Sequence, residues 1–411
     1  THNYCNDGKV LIKTIMNQYS AINNKSPPWS VGNCSGKTWM KDLECLNNVS
    51  LSDIILPGSH DAGAFKLYST EISPIAPEIN TFLFKYCCCC VVQNFAIAQT
   101  GTLYDQLCCG SRYLDLRVTY DMKKRILRTE HSLYGLPLLT LFQQIAKFIK
   151  ENPSEIVILH LRHFSILKYY DMEMKHHEKI ILLLKDIFDV EHDFIESSEI
   201  SLPVNELKKR NRKILLVYGI HENNISCNNA IHSMPWIHTE TKILPGGIGW
   251  TKSTTAEHMV SQWKLFASNN NKQTPSLSNN NNNNKHFYKV ATAITPNPTV
   301  ITNGVLNCIF CCLCRIVCKT SCRKPAGLKE VSDIASDAII EEIQTLVDNN
   351  IRLNILDIDH VVRQQKRINL IEKIVLLNKK QCGKDDYRIV DVIDEDGVMM
   401  VVDNDRVGNA K

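Results

Sequence analysis

Asp53-Ile-Ile-Leu-Pro-Gly-Ser-His-Asp-Ala-Gly63 sets a short apolar, strand-like run just before His60 and Asp61. The pattern recurs. Arg112-Tyr-Leu-Asp-Leu-Arg-Val118 reads as a strand carrying Asp115 and Arg117. Ile156-Val-Ile-Leu-His-Leu161 runs into Arg162 and His163, and Leu353-Asn-Ile-Leu-Asp-Ile358 runs into Asp359. Lys213-Ile-Leu-Leu-Val-Tyr218 is a further strand. Between them, Leu138, Leu139, Leu141, Phe142, Ile145, Ala146, Phe148 and Ile149 recur at helix spacing. That helix should stop at Asn152, because a residue before proline avoids the helical region. A long helical stretch is expected over 328–348. Strands alternating with helices favour a parallel sheet, so the fold class is α/β. In a parallel barrel the C-terminal ends of the strands converge on one rim, which would gather these scattered side chains into one pocket.

Two histidines (His60 and His131, the latter in Glu130-His131), carboxylates and an arginine suffice to move a phosphoryl group without a metal. One imidazole can be the base, the other the acid, and the guanidinium can hold the phosphate charge. Alone, His60-Asp61 would read as a capped turn, and Asp115 with Arg117 as an ion pair at a strand end. His160 and His163 read as packing or solvent-facing groups. Arg162 stands between substrate contact and structural pairing. Asp357 competes with Asp359, since period-2 alternation puts both on one face.

Composition sets the bounds. With 411 residues and 44% hydrophobic content the chain can bury a large core, and a net charge of +4 is too weak and too mixed to argue for nucleic acid. No run reaches the ~18 to 20 apolar residues of a transmembrane helix. Residues 1–40 read as a polar N-terminal arm, 41–380 as one catalytic domain, and 381–411 as a tail. In that tail Ile389–Ile393 and Val398–Val402 flank Asp394-Glu-Asp-Gly as a hairpin. Two insertions are expected: an Asn-rich disordered segment at 268–285 and a Cys-rich one at 305–323. Ten of the 17 cysteines lie in Cys87–Cys90 and Cys308–Cys322. Both patches are short and apolar. They fit membrane-interface loops, S-acylated in a cytosolic protein, or disulfide-bonded loops in a secreted one, and fit tetrahedral zinc sites poorly. The chain begins at Thr1 without Met and carries Asn-x-Ser acceptors at Asn24, Asn33, Asn48 and Asn224. The expectation is a processed, secreted chain, with a cytoplasmic, peripheral-membrane one as the alternative. The oligomeric state stays open.

Leu56-Pro-Gly-Ser-His-Asp-Ala-Gly, Gln99, Gln106-Leu-Cys-Cys-Gly-Ser-Arg-Tyr-Leu-Asp-Leu-Arg, Glu130-His131 and Pro153-Ser-Glu-Ile-Val-Ile-Leu-His-Leu, taken in order, resemble the X-domain of phosphatidylinositol-specific phospholipase C. The likeness is strongest to its bacterial-type and X-domain-only branch. Thr295-Pro-Asn-Pro-Thr and Asn354-Ile-Leu-Asp-Ile-Asp-His-Val resemble its later part, so the likeness spans roughly 40–365. The resemblance implies an incomplete or distorted TIM-type barrel that cleaves phosphatidylinositol at a membrane surface. It implies His60 as the base taking the inositol 2-hydroxyl proton, His131 as the acid protonating the diacylglycerol oxygen, and a 1,2-cyclic phosphate product. Asp359 would orient His60, Asp61 would orient His131, Arg117 would neutralise the phosphoryl oxygens, and Asp115 would hold Arg117. Arg162 would contact inositol hydroxyls. The family's signalling members hold Ca²⁺ with acids two residues before Asp115 and near Arg162. This chain has Tyr113 and Arg162 there, so no metal and no cofactor are expected. Two alternatives remain: a non-catalytic phosphoinositide-binding module, and a metal-dependent glycerophosphodiester phosphodiesterase. The latter would need a Glu-x-Asp pair that Tyr113 interrupts.

Overall fold

A computed structural model describes the chain chiefly over residues 35–68, 70–73, 89–167, 170–220, 225–244, 246–248, 253–273, 287–291 and 354–361, with isolated positions and two short strands beyond. The chain divides after Asn33, and every described residue belongs to the larger unit, Cys34–Lys411. The Cys-rich stretch 305–323, Cys87 and Cys88, and Thr295–Thr299 lie outside the described residues. So do most of the positions in the expected helical stretch 328–348.

Eight strands form one parallel sheet in the spatial order β8 (Ile237–Thr239), β7 (Ile214–Gly219), β5 (Val157–Leu167), β2 (Tyr113–Asp121), β1 (Leu56–Ser59), β11 (Ile355–Ile358), β10 (Tyr288–Ala291), β9 (Gly246–Ile248). Among the described residues β8 and β9 do not pair, so the barrel is open between them. It is the expected incomplete α/β barrel. Antiparallel β3 (Ile126–His131) and β4 (Leu133–Pro137) extend from β2, and β6 (Tyr170–Asp171) folds back on β5.

Both faces of the parallel strands are covered, as buried parallel sheets require. Leu114, Leu116, Val157, Leu159, Leu161, Leu216 and Tyr218 pack outward against the helices. The alternate residues Tyr113, Ile158, Leu215, Val217 and Ile355 point the other way, into the barrel. Period-2 alternation therefore carries Asp115 and Arg117 to the interior with Tyr113. The main covering helix, Leu138–Glu151, buries Leu138, Leu141, Phe142, Ile145, Phe148 and Ile149 on one side. It ends where expected, with Asn152 as its C-cap ahead of Pro153.

Three expectations need correction. Asp53–Leu56 is not the strand: Leu51–Asp53 is a 3-10 turn and pairing starts at Leu56. Ile54 and Ile55 are fully buried, but the Ile55 amide and carbonyl are both taken by the Asn378 side chain, each at 2.8 Å, so no neighbouring strand is needed there. The N-terminal arm stops before residue 40. Ser35–Thr38 and Trp39–Asp42 are short helices, and Trp39 is buried with Nε1 donating to Gly110 O at 2.9 Å. The Asn-rich segment is not disordered from 268. The helix Ala256–Gln273 runs through its first six positions, anchored by buried Met259 and Trp263, because extending a formed helix is easier than starting one. In the tail, Val392–Ile393 pairs antiparallel with Met399–Met400. No helix among the described residues is long and apolar enough to cross a membrane.

Candidate active site

β1 delivers His60 and Asp61 to the rim. The strand is held close on both sides: a Cβ at Gly58 would stand 3.0 Å from both Leu356 O and the Tyr113 ring. Asp61 then turns with φ +43°, a left-handed conformation that Asp tolerates better than most residues. The turn is fixed from behind by buried Gln99, whose Nε2 donates to His60 O and Ile358 O at 2.8 Å while its Oε1 accepts from Val361 N at 2.9 Å. His163 and Phe164, inside β5, and His360, just past β11, also have positive φ. Such strain gathers where a site overrides backbone preference.

His60 Nδ1 meets Asp359 Oδ1 at 2.8 Å, leaving Nε2 as the working nitrogen. His131 Nδ1 donates to Ala96 O at 2.6 Å, so its Nε2 is likewise the free one. The two Nε2 atoms converge on Asp61 Oδ2, at 3.6 Å from His60 and 3.5 Å from His131. Arg117 Nε lies 2.5 Å from the other Asp61 oxygen. The sequence assigned Asp115 to Arg117; instead Asp115 holds Arg162 through a two-pronged pair, with a second oxygen on Arg162 Nη2 at 2.5 Å. Arg162 also stands 3.7 Å from Asp61 and donates to His163 Nε2 at 3.1 Å. Asp357 and Asp359 separate: Asp359 takes His60, whereas Asp357 Oδ2 lies 2.8 Å from Lys289 Nζ.

Lys289 is the residue that sequence reading missed. It stands on β10, just beyond the Asn-rich segment, where Tyr288-Lys-Val-Ala carries no motif. Only the barrel topology brings it to β11 and the pocket.

The carboxylates are the most deeply buried charges of the pocket and the cations are more exposed. Asp61, Asp115, Asp357 and Asp359 have side chains at most 2% exposed, whereas His60, His131, Arg117, Arg162 and Lys289 are 12–21% exposed. An anion entering the site meets donors first. Burial pulls the His60 pKa down, but Asp61 and Asp359 outweigh it and raise it to about 9. Burial dominates at His131 and lowers its pKa despite Asp61. Burial pushes Asp61 and Asp115 up, yet Arg117 and Arg162 respectively hold them below the usual carboxylate range. His163 falls to about 4 through burial and the adjacent Arg117 and Arg162. Burial raises the pKa of Glu130.

Does a divalent ion fit? Among the described residues, His60, Asp115 and Asp357 are a group whose ligand atoms lie within 4.8 Å of one another. A hard cation wants about six to eight oxygens. Here the two carboxylates already carry Lys289 and Arg162, so the residues present do not fit a calcium site.

Fold and site together define an incomplete α/β barrel whose rim gathers two imidazoles, two guanidiniums and four carboxylates in one pocket. The chain is 31% identical over 159 residues to human PI-PLC X domain-containing protein 3, covering 36% of this chain and 47% of that protein. It is 30% identical over 188 residues to human PI-PLC X domain-containing protein 2, covering 44% and 59%. Phosphatidylinositol-specific phospholipase C from Staphylococcus aureus shares the fold, with a TM-score of 0.50 and 13% identity over 83% of this chain and 98% of that one. These likenesses support the phosphatidylinositol-specific phospholipase C X-domain family for this chain. No protein-family model matches it. The match to human X domain-containing protein 3 spans about half of that relative's length.

Proposed function

We propose that the chain is a calcium-independent phosphodiesterase that cleaves phosphatidylinositol to diacylglycerol and inositol 1,2-cyclic phosphate. The observation that carries this reading is the convergence of two imidazole Nε2 atoms on one buried carboxylate beside Arg117. A pure binding module has no need of two imidazoles fixed in that tautomer. Tyr113, standing where a Glu ligand would be required, disfavours the metal-dependent glycerophosphodiester reading.

In its neutral form, the minor one below a pKa of about 9, His60 Nε2 takes the proton of the inositol 2-hydroxyl, and the freed oxygen attacks the adjacent phosphorus. Arg117 receives the charge that builds on the phosphoryl oxygens. His131 Nε2 gives its proton to the departing glycerol oxygen. The nucleophile is already part of the substrate, so the protein supplies orientation, proton transfer and charge stabilisation. Asp61, between the imidazoles, favours the charged form of each in turn. Each proton-transfer group is worth about 10² to 10⁴ in rate.

Two tests bear on this. Phosphorus NMR of phosphatidylinositol vesicles incubated in EDTA should show a cyclic inositol phosphate; no product with or without Ca²⁺ would sink the reading. Changing the leaving group then separates the two histidines. H131A should lose about 10² to 10⁴ on the lipid and regain most of it on an aryl inositol phosphate whose leaving group needs no proton. H60A should stay slow on both. Equal rescue of both variants would overturn the role assignment.

A further inference from the structure

The buried acidic cluster of the pocket already contains a cation. Lys289 Nζ lies 2.8 Å from Asp357 Oδ2 and 3.4 Å from Asp115 Oδ2, donates to Tyr113 Oη at 3.1 Å, and sits 5.2 Å from the centre of the Tyr113 ring. Tyr113 in turn hydrogen-bonds His160 Nδ1 at 2.7 Å, and His160 Nε2 faces Glu240 at 3.6 Å. Two of the three oxygens around the ammonium have support of their own, Tyr113 Oη from His160 and Asp115 Oδ2 from Arg162. The same two carboxylates, with His60, make up the group of metal-type ligand atoms described above. The cluster has the donor set of a weak divalent site, with a lysine seated in it.

We infer that Lys289 is a positioning residue that serves as the pocket's resident cation: its ammonium holds Asp115 and Asp357 and keeps divalent metal out. The catalytic part of this inference rests on the phosphodiesterase reading; the exclusion of metal does not. Electrostatically the exchange is conservative. A +1 ammonium between two carboxylates, aided by Arg162 on Asp115, leaves little net negative charge for a divalent ion to collect. Without the ammonium two buried carboxylates face each other across a gap, an arrangement that either takes up a cation or destabilises the pocket. Burial opposes the charged lysine, but Asp115 and Asp357 outweigh it and shift its pKa upward, consistent with a permanently charged group.

Terbium(III) is a suitable probe, because an ion in the place of the ammonium would lie close enough to the Tyr113 ring to be sensitised by it. The wild-type protein should give no saturable terbium luminescence at this site. K289M should give a saturable signal with a dissociation constant on the order of 10⁻⁴ M, the range of modest calcium-type sites. That signal should disappear in K289M/D357N and be absent in K289R. Saturable binding in the wild type that D357N removes would overturn the inference, as would a folded K289M that binds nothing. If K289M unfolds in EDTA, thermal melts in Mn²⁺ decide the matter. Recovery of a cooperative transition in Mn²⁺ supports the exchange, and failure to recover in either condition refutes it. On phosphatidylinositol, K289M should lose about 100-fold in turnover in EDTA, the scale for removing one electrostatic partner from a site. It should recover in part with Mn²⁺ or Ca²⁺. If neither the wild type nor any variant turns over lipid, the phosphodiesterase reading fails while the terbium titration still decides the role of Lys289.

Discussion

His60 and His131 are each tied at Nδ1, one to a carboxylate and one to a carbonyl, and that difference sets the pH behaviour of the site. His60 is raised to about 9, chiefly by Asp61 and Asp359 working against burial, while burial draws His131 below its ordinary 6.5. The proposed reaction needs one imidazole neutral and the other protonated. The pH profile should therefore be a bell whose acid limb falls below 6.5 and whose alkaline limb falls near 9, whichever residue is the base. Asp359→Asn removes a negative partner of His60, so the alkaline limb should move down while the acid limb stays; a shift of the acid limb instead would assign the higher value to His131. The sign carries over to stability. A raised pKa means that charged His60 stabilises the fold fully below pH 6.5, a contribution lost as the pH climbs through about 9. Asp359→Asn should flatten the stability curve between those values, which denaturation midpoints measured across pH would show. At this scale the sequence was largely readable, because His60, Asp61, Asp115, Arg117 and Asp359 each follow or lie within a short apolar run. The pairing of charges was not. Asp115 and Arg117 are two apart on one strand and look like partners. Asp115 nonetheless reaches across to Arg162 on the neighbouring strand β5, and Asp61 comes from β1 to take Arg117.

Elements matter here for how they end. β2 begins at Tyr113, and the residue before it, Arg112, is fully buried at the opposite end of the barrel from the pocket. Its guanidinium bonds Glu155 at 2.6 and 2.9 Å, Leu107 O and Ser111 O at 2.8 Å, Gly36 O at 3.1 Å and Lys37 O at 2.9 Å. Trp39 and Phe148 cover it at 5.6 and 5.0 Å. Glu155 also accepts from the Met40 and Lys41 amides. So Arg112 and the Glu155 of Pro153-Ser-Glu155, within stretches that read as part of a catalytic signature, serve as the clasp at the far end of the barrel from the pocket. Glu155→Ala strands a buried guanidinium and two amides, and should cost about 3–5 kcal/mol, read as a fall in denaturation midpoint. Replacing Arg112 and Glu155 together by apolar residues should cost less, because no charge is then left buried alone; a double variant as unstable as the single one would contradict that account. Strand and helix positions were readable from periodicity, as Leu138–Glu151 shows. The offset at β1 was not, because the carbonyl and amide of Ile55 are satisfied by the side chain of Asn378, 323 residues away.

For the molecule as a whole, the order of strands in the sheet explains why the pocket needs so much of the chain. β1 sits between β2 and β11, so His60 on the first strand meets Asp359 299 residues later. The pocket cannot form until the two ends of the domain have paired, and contacts so distant in sequence form slowly. The sequence could not supply this order directly; it followed only from the expectation that alternating strands and helices close into a barrel. It also fixes where the domain can be cut. The compact unit starts at Cys34, and the first residues packed into its core are Trp39 and Met40, at 3% and 0% exposure. Deleting residues 1–33 spares the Gly36 and Lys37 carbonyls on Arg112, the Trp39 indole and the two amides on Glu155. Deleting 1–42 removes all of them and opens the face of the core formed by Trp39, Met40, Leu46 and Leu56. Losing a buried tryptophan alone typically costs about 3–5 kcal/mol, a large share of the ~5–15 kcal/mol that holds a domain folded. The chain starting at Cys34 should therefore melt cooperatively, and the one starting at Leu43 should lose its cooperative transition and its tertiary circular-dichroism signal. Equal melting of the two truncated chains would mean that the Arg112 clasp is dispensable and that the domain begins after residue 42.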